Sequence, residues 1–296
     1  MNESSQFQPL GFGELLDGTL RIYRRHFWSL WTFCFLISFP FNLWIEWWYL
    51  QETHRFASIP ADRELIILLI DTFIWFAILP PFIQSACVYL SRLKRTGWKE
   101  LFVSIRNNLW KVLAAHWLIC LLWGVLFTLI VVLIGLPLYM SAQENGSTNP
   151  DEIIWMAFSI CMLVFLIPGS YFYVRLSLVT PVIVEENPTI WRAITRSWEL
   201  TKGVFGSTLG ILVCLGAITI PFLFVQIGIK ELSTAVSFYQ TSWIWDGIYI
   251  LSVLLIDPLL LFLYPVFCGI FYWNQRARKE AYDLQYQLQQ VSTDRR

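Results

Sequence analysis

The sequence predicts an all-α polytopic membrane protein: six transmembrane helices arranged as three parallel repeats, each an amphipathic interfacial helix followed by a transmembrane hairpin. Three observations carry that expectation. The 296 residues are 56% hydrophobic, 17% aromatic and only 14% charged. A soluble domain usually carries about 25% charged residues, so a soluble chain of this composition could not cover its own surface. Six apolar stretches reach the roughly 20 residues a spanning helix needs, at about 28–48, 65–90, 112–140, 153–180, 204–229 and 245–273. Landmarks also recur with a common drift: Phe27, Trp110 and Phe205 are spaced by 83 and 95 residues, and Pro81, Pro168 and Pro265 by 87 and 97. The composition excludes a disordered chain and a secreted disulfide scaffold, and argues against an ordinary soluble enzyme.

The first 26 residues are polar to amphipathic, which predicts no cleavable signal peptide; the first apolar segment is expected to insert and stay. Within them, GELLDGTLRIYRRHF (13–27) sets Leu16, Leu20, Tyr23 and Phe27 on one helical face and Glu14, Asp17, Arg21, Arg24 and Arg25 on the other. Span one follows. Span two contains Pro80 and Pro81 and ends near Arg92. The second amphipathic segment, WKELFVSIRNNLW (98–110), collects Trp98, Leu101, Phe102, Ile105 and Leu109 on one face and leads into span three. Span four carries Pro168 and then Arg175. The third segment, TIWRAITRSWELTKGVF (189–205), opposes Ile190, Ile194 and Trp198 to Arg192, Thr195, Arg196, Glu199 and Lys202; Asn187 and Pro188 read as its N-cap and first helical position. Span five follows it, and span six carries Pro258 and Pro265 before Arg276. The repeat units run over about 11–95, 96–183 and 187–280 of a single membrane domain, with a polar cytoplasmic tail at 281–296. Two spans per unit give all three units one orientation, unlike the inverted repeats of many transporters.

Charge orients the spans. The connections 51–63, 141–152 and 230–242 hold only Arg55, Arg63 and Lys230, against 18 of the 21 Lys and Arg residues on the other side. The positive-inside rule places both termini in the cytoplasm. Tryptophan agrees: Trp28, Trp31, Trp98, Trp110, Trp191, Trp198 and Trp273 flank the inner boundary, and Trp44, Trp47, Trp48, Trp155, Trp243 and Trp245 the outer one. Amphipathic indole rings prefer those depths.

Few residues carry candidate chemistry. Asp71 (LLIDTFIWF) and Asp257 (VLLIDPLLL) are the acids well inside apolar runs, and a carboxylate in the membrane is costly enough to be a functional suspect. The bland alternatives are an outer-interface position for Asp71 and a helix-breaking or capping role for Asp257. No intramembrane lysine offers itself as a partner. Arg175 falls 22 residues after Ile153, a rise of roughly 33 Å, so it is expected to snorkel to the inner surface, with Glu185 or Glu186 in reach and Pro181 turning the chain along the boundary. His116 is the one histidine within a span and reads as a hydrogen-bonded core residue. The six cysteines are scattered through apolar stretches with no CxxC pair and read as small buried hydrophobes. There is no HExxH, no P-loop signature and no GxSxG, so the sequence predicts no metal, no cofactor and no catalytic centre. Every span contains proline, which frees a carbonyl and kinks a helix; broken helices often line transport sites.

Two segments, PLGFGELLDGTLRIYRRHFWSL (9–30) and YVRLSLVTPVIVEENPTIWRAITRSWELTKGVF (173–205), resemble the bacterial membrane family named after the membrane domain of glycerophosphoryl diester phosphodiesterase. Gly13, Glu14, Leu16, Asp17, Tyr23 and Arg24 match its first pattern. Arg175, Pro181, Glu185, Ala193, Arg196, Ser197, Leu200, Thr201 and Gly203 match its second, and FYWNQRARKEAYDL (271–284) is similar to its end. The resemblance implies a stand-alone membrane region in a bacterial inner membrane. The phosphodiesterase chemistry of such proteins belongs to a separate soluble domain, and the His54–Arg55 pair of a short outer loop is no counterpart to it.

The leading expectation is therefore a non-enzymatic scaffold or accessory subunit. It would dock an anionic lipid or another membrane protein through cytoplasmic residues such as Glu14, Asp17, Arg24, Arg175, Glu185, Arg192, Arg196 and Lys202. Nucleic acid is not an expected partner, because the cations follow a membrane boundary. The alternative is a transporter or channel for a small or amphipathic solute, with Asp71 and Asp257 as the coupling groups.

Overall fold

The computed structural model describes residues 10–55, 66, 67, 70, 74, 79–91, 98–144, 150–237 and 242–280. Among these the regular elements are all helices: α1 (Phe12–Arg25), α2 (Phe27–Arg55), α3 (Leu79–Ser91), α4 (Trp98–Ile130), a π turn (Val131–Gly135), α5 (Leu136–Glu144), α6 (Pro150–Leu176), α7 (Val179–Glu186), α8 (Ile190–Thr201), α9 (Phe205–Ser237), α10 (Ser242–Leu261) and α11 (Leu263–Glu280). Five segments are long and apolar enough to cross a membrane: Phe27–Trp48, Arg106–Ser141, Met156–Glu186, Phe205–Leu232 and Gly247–Glu280. Of the expected second span, 65–90, residues 65, 68, 69, 71–73 and 75–78 lie outside the described residues; towards its end is the shorter apolar helix Leu79–Val88. Asp71 and the tail at 281–296 also lie outside them.

α1 is a separate helix; its fully buried residues are Leu15 and Thr19, while Leu16, Leu20 and Tyr23 of the expected apolar face are half-buried. The Glu14 carboxylate accepts from the Gly11 backbone N–H at 2.7 Å, and Arg24 and Arg25 close the last turn, so both ends match the helix dipole. The chain bends at His26 and continues as α2. Burial, and then the neighbouring Arg25, hold the His26 imidazole below the ordinary histidine pKa. Folding thus favours the neutral ring. That contribution is present above about pH 6.5 and is lost as pH falls toward the lowered folded value. Amide protection factors in α1, corrected for the intrinsic rate, are expected to fall on acidification below about pH 6.5, and His26→Gln is expected to abolish this dependence. An unchanged pH profile in the variant would remove His26 from the account.

The three amphipathic segments do not share one form. The first and third are discrete helices, whereas the second is the opening of the 33-residue α4. The reason is local. α1 stops at a bend, and α8 stops at Lys202 and Gly203, whose φ of +82° suits glycine. Residues 107–112 contain no glycine or proline, so that helix runs on. Asn187 is also placed differently from expectation. It adopts the left-handed conformation (φ 50°) and closes α7, while Thr189 precedes α8. Asparagine tolerates that region better than most residues. Pro181 does not turn the chain; the turn comes earlier, at Ser177 and Leu178. Pro181 lies in the first helical turn of α7, where a missing N–H costs nothing.

Proline shapes two further breaks. Pro265 cannot bond to the Leu261 carbonyl, and the chain divides there into α10 and α11. Pro137 leaves the Leu133 carbonyl without its helical partner, and the π turn falls on that residue. Carbonyls around the α10–α11 break are met by side chains: Tyr23 Oη donates to Leu259 O and Trp31 Nε1 to Leu255 O, each at 3.2 Å.

The packing centre is α11, which touches α1, α3, α7, α8, α9 and α10. Phe267, Phe271 and Tyr272 are buried in one cluster with Val182 and Ile183 of α7 and Leu200 of α8. A second cluster joins Leu30, Phe33 and Cys34 of α2 to Ile83 and Cys87 of α3 and to Phe262. By contrast, Leu121, Val125 and Leu129 of α4, Leu163, Leu166 and Ile167 of α6, and Phe224 of α9 are exposed. Contiguous apolar surface on that scale is untenable in water and ordinary in lipid.

Candidate functional site

Two groupings of polar side chains stand out, one at each end of the bundle. At the first, α10 packs between α2 and α9. The residues involved recur at helical spacing. Asn42 and Glu46 lie one turn apart on α2, Gln226 and Lys230 one turn apart on α9, and Tyr249, Val253 and Asp257 follow at four-residue steps on α10. The three stripes line a single cleft of about 270 Å³. Asp257 lies at its polar centre. Its Oδ1 accepts from Gln226 Nε2 at 2.7 Å and its Oδ2 from Asn42 Nδ2 at 3.3 Å. Two helices thus each contribute an amide to one carboxylate on a third. Asn42 is only 3% exposed, and its Oδ1 is buried without a hydrogen-bond partner.

Asp257 therefore neither breaks nor caps a helix: α10 runs through it and Pro258 to Leu261. By sequence Lys230 belongs to a connection, and Glu46 lies in the WIEWW stretch near the end of span one. The structure sets both on the cleft wall beside Asp257. Asn42, Gln226 and Tyr249 were not singled out at all. The available signal was the four-residue spacing of polar groups inside otherwise apolar helices.

The second grouping lies at the opposite end, where α6, α7, α8 and α11 meet. Arg175, in the last turn of α6, lies against the rings of Tyr171 (5.1 Å) and Trp198 (5.3 Å), which meet each other edge-on. It donates to Trp198 O and Tyr171 Oη, and its own carbonyl accepts from Ser197 Oγ at 2.7 Å. Glu186 accepts from Arg196 at 3.5 Å and from Tyr272 Oη at 2.9 Å. Arg196 also pairs with Glu280, which Arg276 holds at 3.0 Å. Lys279 donates to the Glu199 and Lys202 carbonyls at the end of α8, at 2.7 and 2.8 Å. Asn274 exchanges bonds with the Leu10 backbone, and Arg278 also donates to Leu10 O, which pins α1 to α11.

This grouping accounts for several expected docking residues. Arg175 and Arg196 are engaged inside the protein, and Glu14 caps its own helix. Glu185 is partly buried on α7. Asp17, Arg24, Arg192 and Lys202 are exposed, with Trp191 69% exposed beside Arg192. His116 is partly buried on α4 and belongs to neither grouping. Among the described residues no set of three His, Cys, Asp or Glu side chains is placed to hold a metal ion.

Comparison with protein-family models, with curated proteins and with solved structures finds no match to this chain.

Proposed function

We propose that the protein is a non-enzymatic membrane protein that takes a small polar solute into the Asp257 cleft, and so acts as a transporter or channel. One observation carries this reading: an aspartate inside an apolar helix is held by an amide from each of two neighbouring helices, in a cleft wide enough for a ligand. Building an ionisable group into a membrane helix is expensive, and such groups usually serve the passage of a solute or ion. The reading takes the chain to cross a bacterial inner membrane six times, as three parallel hairpin repeats with both termini in the cytoplasm. Glu46 and Lys230, one turn nearer the helix ends than the residues that hold Asp257, then mark an external mouth. The test is uptake of a panel of small polar solutes by proteoliposomes. Saturable uptake of at least one, lost on Asp257→Asn, is expected. Uptake indistinguishable from protein-free vesicles across the panel would overturn the reading.

A second role, scaffold or accessory subunit at the cytoplasmic border, draws on Trp191 and Arg192, adjacent and exposed on α8. An indole beside a guanidinium suits an anionic headgroup at an interface. The resemblance to the phosphodiesterase-associated membrane family belongs with this proposal. In native-lipid nanodiscs, Arg192→Glu is expected to reduce co-purifying anionic lipid. Unchanged lipid, with a stoichiometric protein partner retained, would favour protein docking instead.

A further inference from the structure

Resting on the reading of the border opposite the cleft as a docking surface for anionic lipid, the cations around the α8–α9 turn narrow the place. We infer that the junction of α6, α8, α9 and α11 seats the phosphate of one anionic phospholipid, with Arg175, Lys202 and Lys279 supplying the charge that holds it.

Chain geometry gathers the cations. α6 ends one residue after Arg175, α8 leads through Lys202 and Gly203 into α9, and Lys279 stands in the last turn of α11. α8 and α9 each touch both α6 and α11. Three chain segments thus each bring one cation to one place. The Lys279 ammonium lies on the α8–α9 turn, where two of its three donors go to the Glu199 and Lys202 carbonyls. Arg175 and Lys202 repel it there, with the Glu199 carboxylate in opposition. That carboxylate also faces Arg196, at 3.8 Å. Glu186 and Glu280 are taken up by Arg196, Arg276 and Tyr272. Three cations against one shared carboxylate leave an excess of two positive charges. Like charges gathered at the edge of an apolar layer are costly unless an anion joins them. Lys202 and Lys279 are both exposed, so an anion can reach them.

The surroundings favour a lipid over a soluble anion. Phe172 and Tyr171 lie three and four residues before Arg175, one helical turn further into the span. Their rings meet Trp198 at 6.0 and 5.8 Å, and Tyr171 also meets Phe205 at 5.7 Å. Tyr171 is 36% and Phe172 37% exposed. The cations therefore border an exposed aromatic shelf on the membrane side. A phospholipid covers both, with its phosphate at the cations and its glycerol and first acyl carbons on the rings. A soluble phosphate covers the cations alone. A zwitterionic headgroup brings a cation of its own into the excess.

The experiment titrates lipid onto the full chain in detergent micelles and counts bound lipid by native mass spectrometry. The probes are phosphatidylglycerol, cardiolipin, phosphatidylcholine and soluble glycerol phosphate. One anionic lipid is expected to be retained about tenfold more tightly than phosphatidylcholine, with glycerol phosphate not retained. Lys202→Gln is expected to weaken that lipid about fivefold, the worth of one cation near a lipid surface. Gly206→Glu is expected to weaken it as well. Gly206 is exposed in the first turn of α9, four residues after Lys202, and an added Cβ there meets nothing within 4 Å. A carboxylate suits a helix N-terminus, so folding is preserved while the chain supplies its own anion. Arg192→Glu, which addresses lipid beside Trp191, is expected to leave this one in place. Unweakened binding in both Lys202→Gln and Gly206→Glu, with loss in Arg192→Glu, would overturn this inference and leave border docking standing. Glycerol phosphate bound as tightly as the anionic lipids would overturn it in favour of a soluble anion. Equal retention of anionic and zwitterionic lipid would overturn both this seat and the lipid-docking border.

Discussion

Asp257→Asn is expected to leave the protein folded and to reduce solute binding by on the order of a hundredfold. The argument starts from the neighbours. The substitution keeps the shape of the side chain and removes its charge. An asparagine there can still accept from Gln226 through one oxygen, while its new amino group faces Asn42. Asn42 can turn its amide so that the oxygen, now without a partner, accepts from that group. The variant therefore keeps a hydrogen bond to each neighbouring amide without the charge, and removing an intramembrane charge relieves a desolvation cost. Its melting temperature is expected to stay close to that of the wild type. The ligand fares differently: a charge-assisted interaction with the carboxylate is lost. Truncating one side of a desolvated charged pair costs about 2–5 kcal/mol, which brackets a hundredfold. Unchanged binding by a folded variant would show that Asp257 is a structural carboxylate.

The second large effect concerns stability. Arg196 stands between Glu186 and Glu280, and the three side chains are 27%, 26% and 23% exposed. Arg196→Met removes the shared cation, leaves two carboxylates facing each other, and loosens α8 from α7 and α11 together. Breaking a fully buried pair costs about 3–5 kcal/mol and an exposed one about 0–1, so partial exposure places this loss at about 2 kcal/mol. For a protein of this size that corresponds to a fall in melting temperature of about 4–8 °C. Adding Glu186→Gln and Glu280→Gln is expected to recover most of the loss, because the uncompensated negative charges then vanish. Arg196→Lys should fall between, since an ammonium lacks the planar fork that reaches two carboxylates. A triple variant no more stable than Arg196→Met would show that packing, not charge, sets the cost.

The helical, membrane-length character of the chain was legible because apolar run length and helical period are local properties. Five segments long and apolar enough to cross a membrane overlap expected spans, with ends moved by up to seven residues, and helices α1 and α8 lie within the first and third expected segments. Tertiary detail was not legible. Arg175 was expected at the inner boundary, but its contacts with the Tyr171 and Trp198 rings, the latter brought by α8 after an intervening helix, were not legible. Arg196 was read as a cytoplasmic docking residue; Glu199 is one turn away, but its other partners, Glu186 and Glu280, lie 10 and 84 positions away, beyond any helical window. The prominence of Asp257 followed from its apolar context. Its setting did not, since Asn42 and Gln226 look like tolerated polar residues until α2 and α9 are brought to α10. Pro40 and Pro221, read as possible site-makers, each lie inside a continuous helix within five residues of the cleft's two amides.

The central claim is that one face of α10 meets a polar, solvent-reached cleft while the opposite face meets lipid. Val253 lines the cleft, and Leu251, two residues away at nearly the same depth, is 55% exposed on the apolar outer surface. Cysteine placed at each, with the six native cysteines replaced by alanine, gives the most direct measurement. A thiol reacts with a charged, membrane-impermeant maleimide only where water lets it ionise. Labelling of Val253→Cys and not of Leu251→Cys is the predicted result. No labelling at Val253→Cys, or equal labelling at both, would contradict the account.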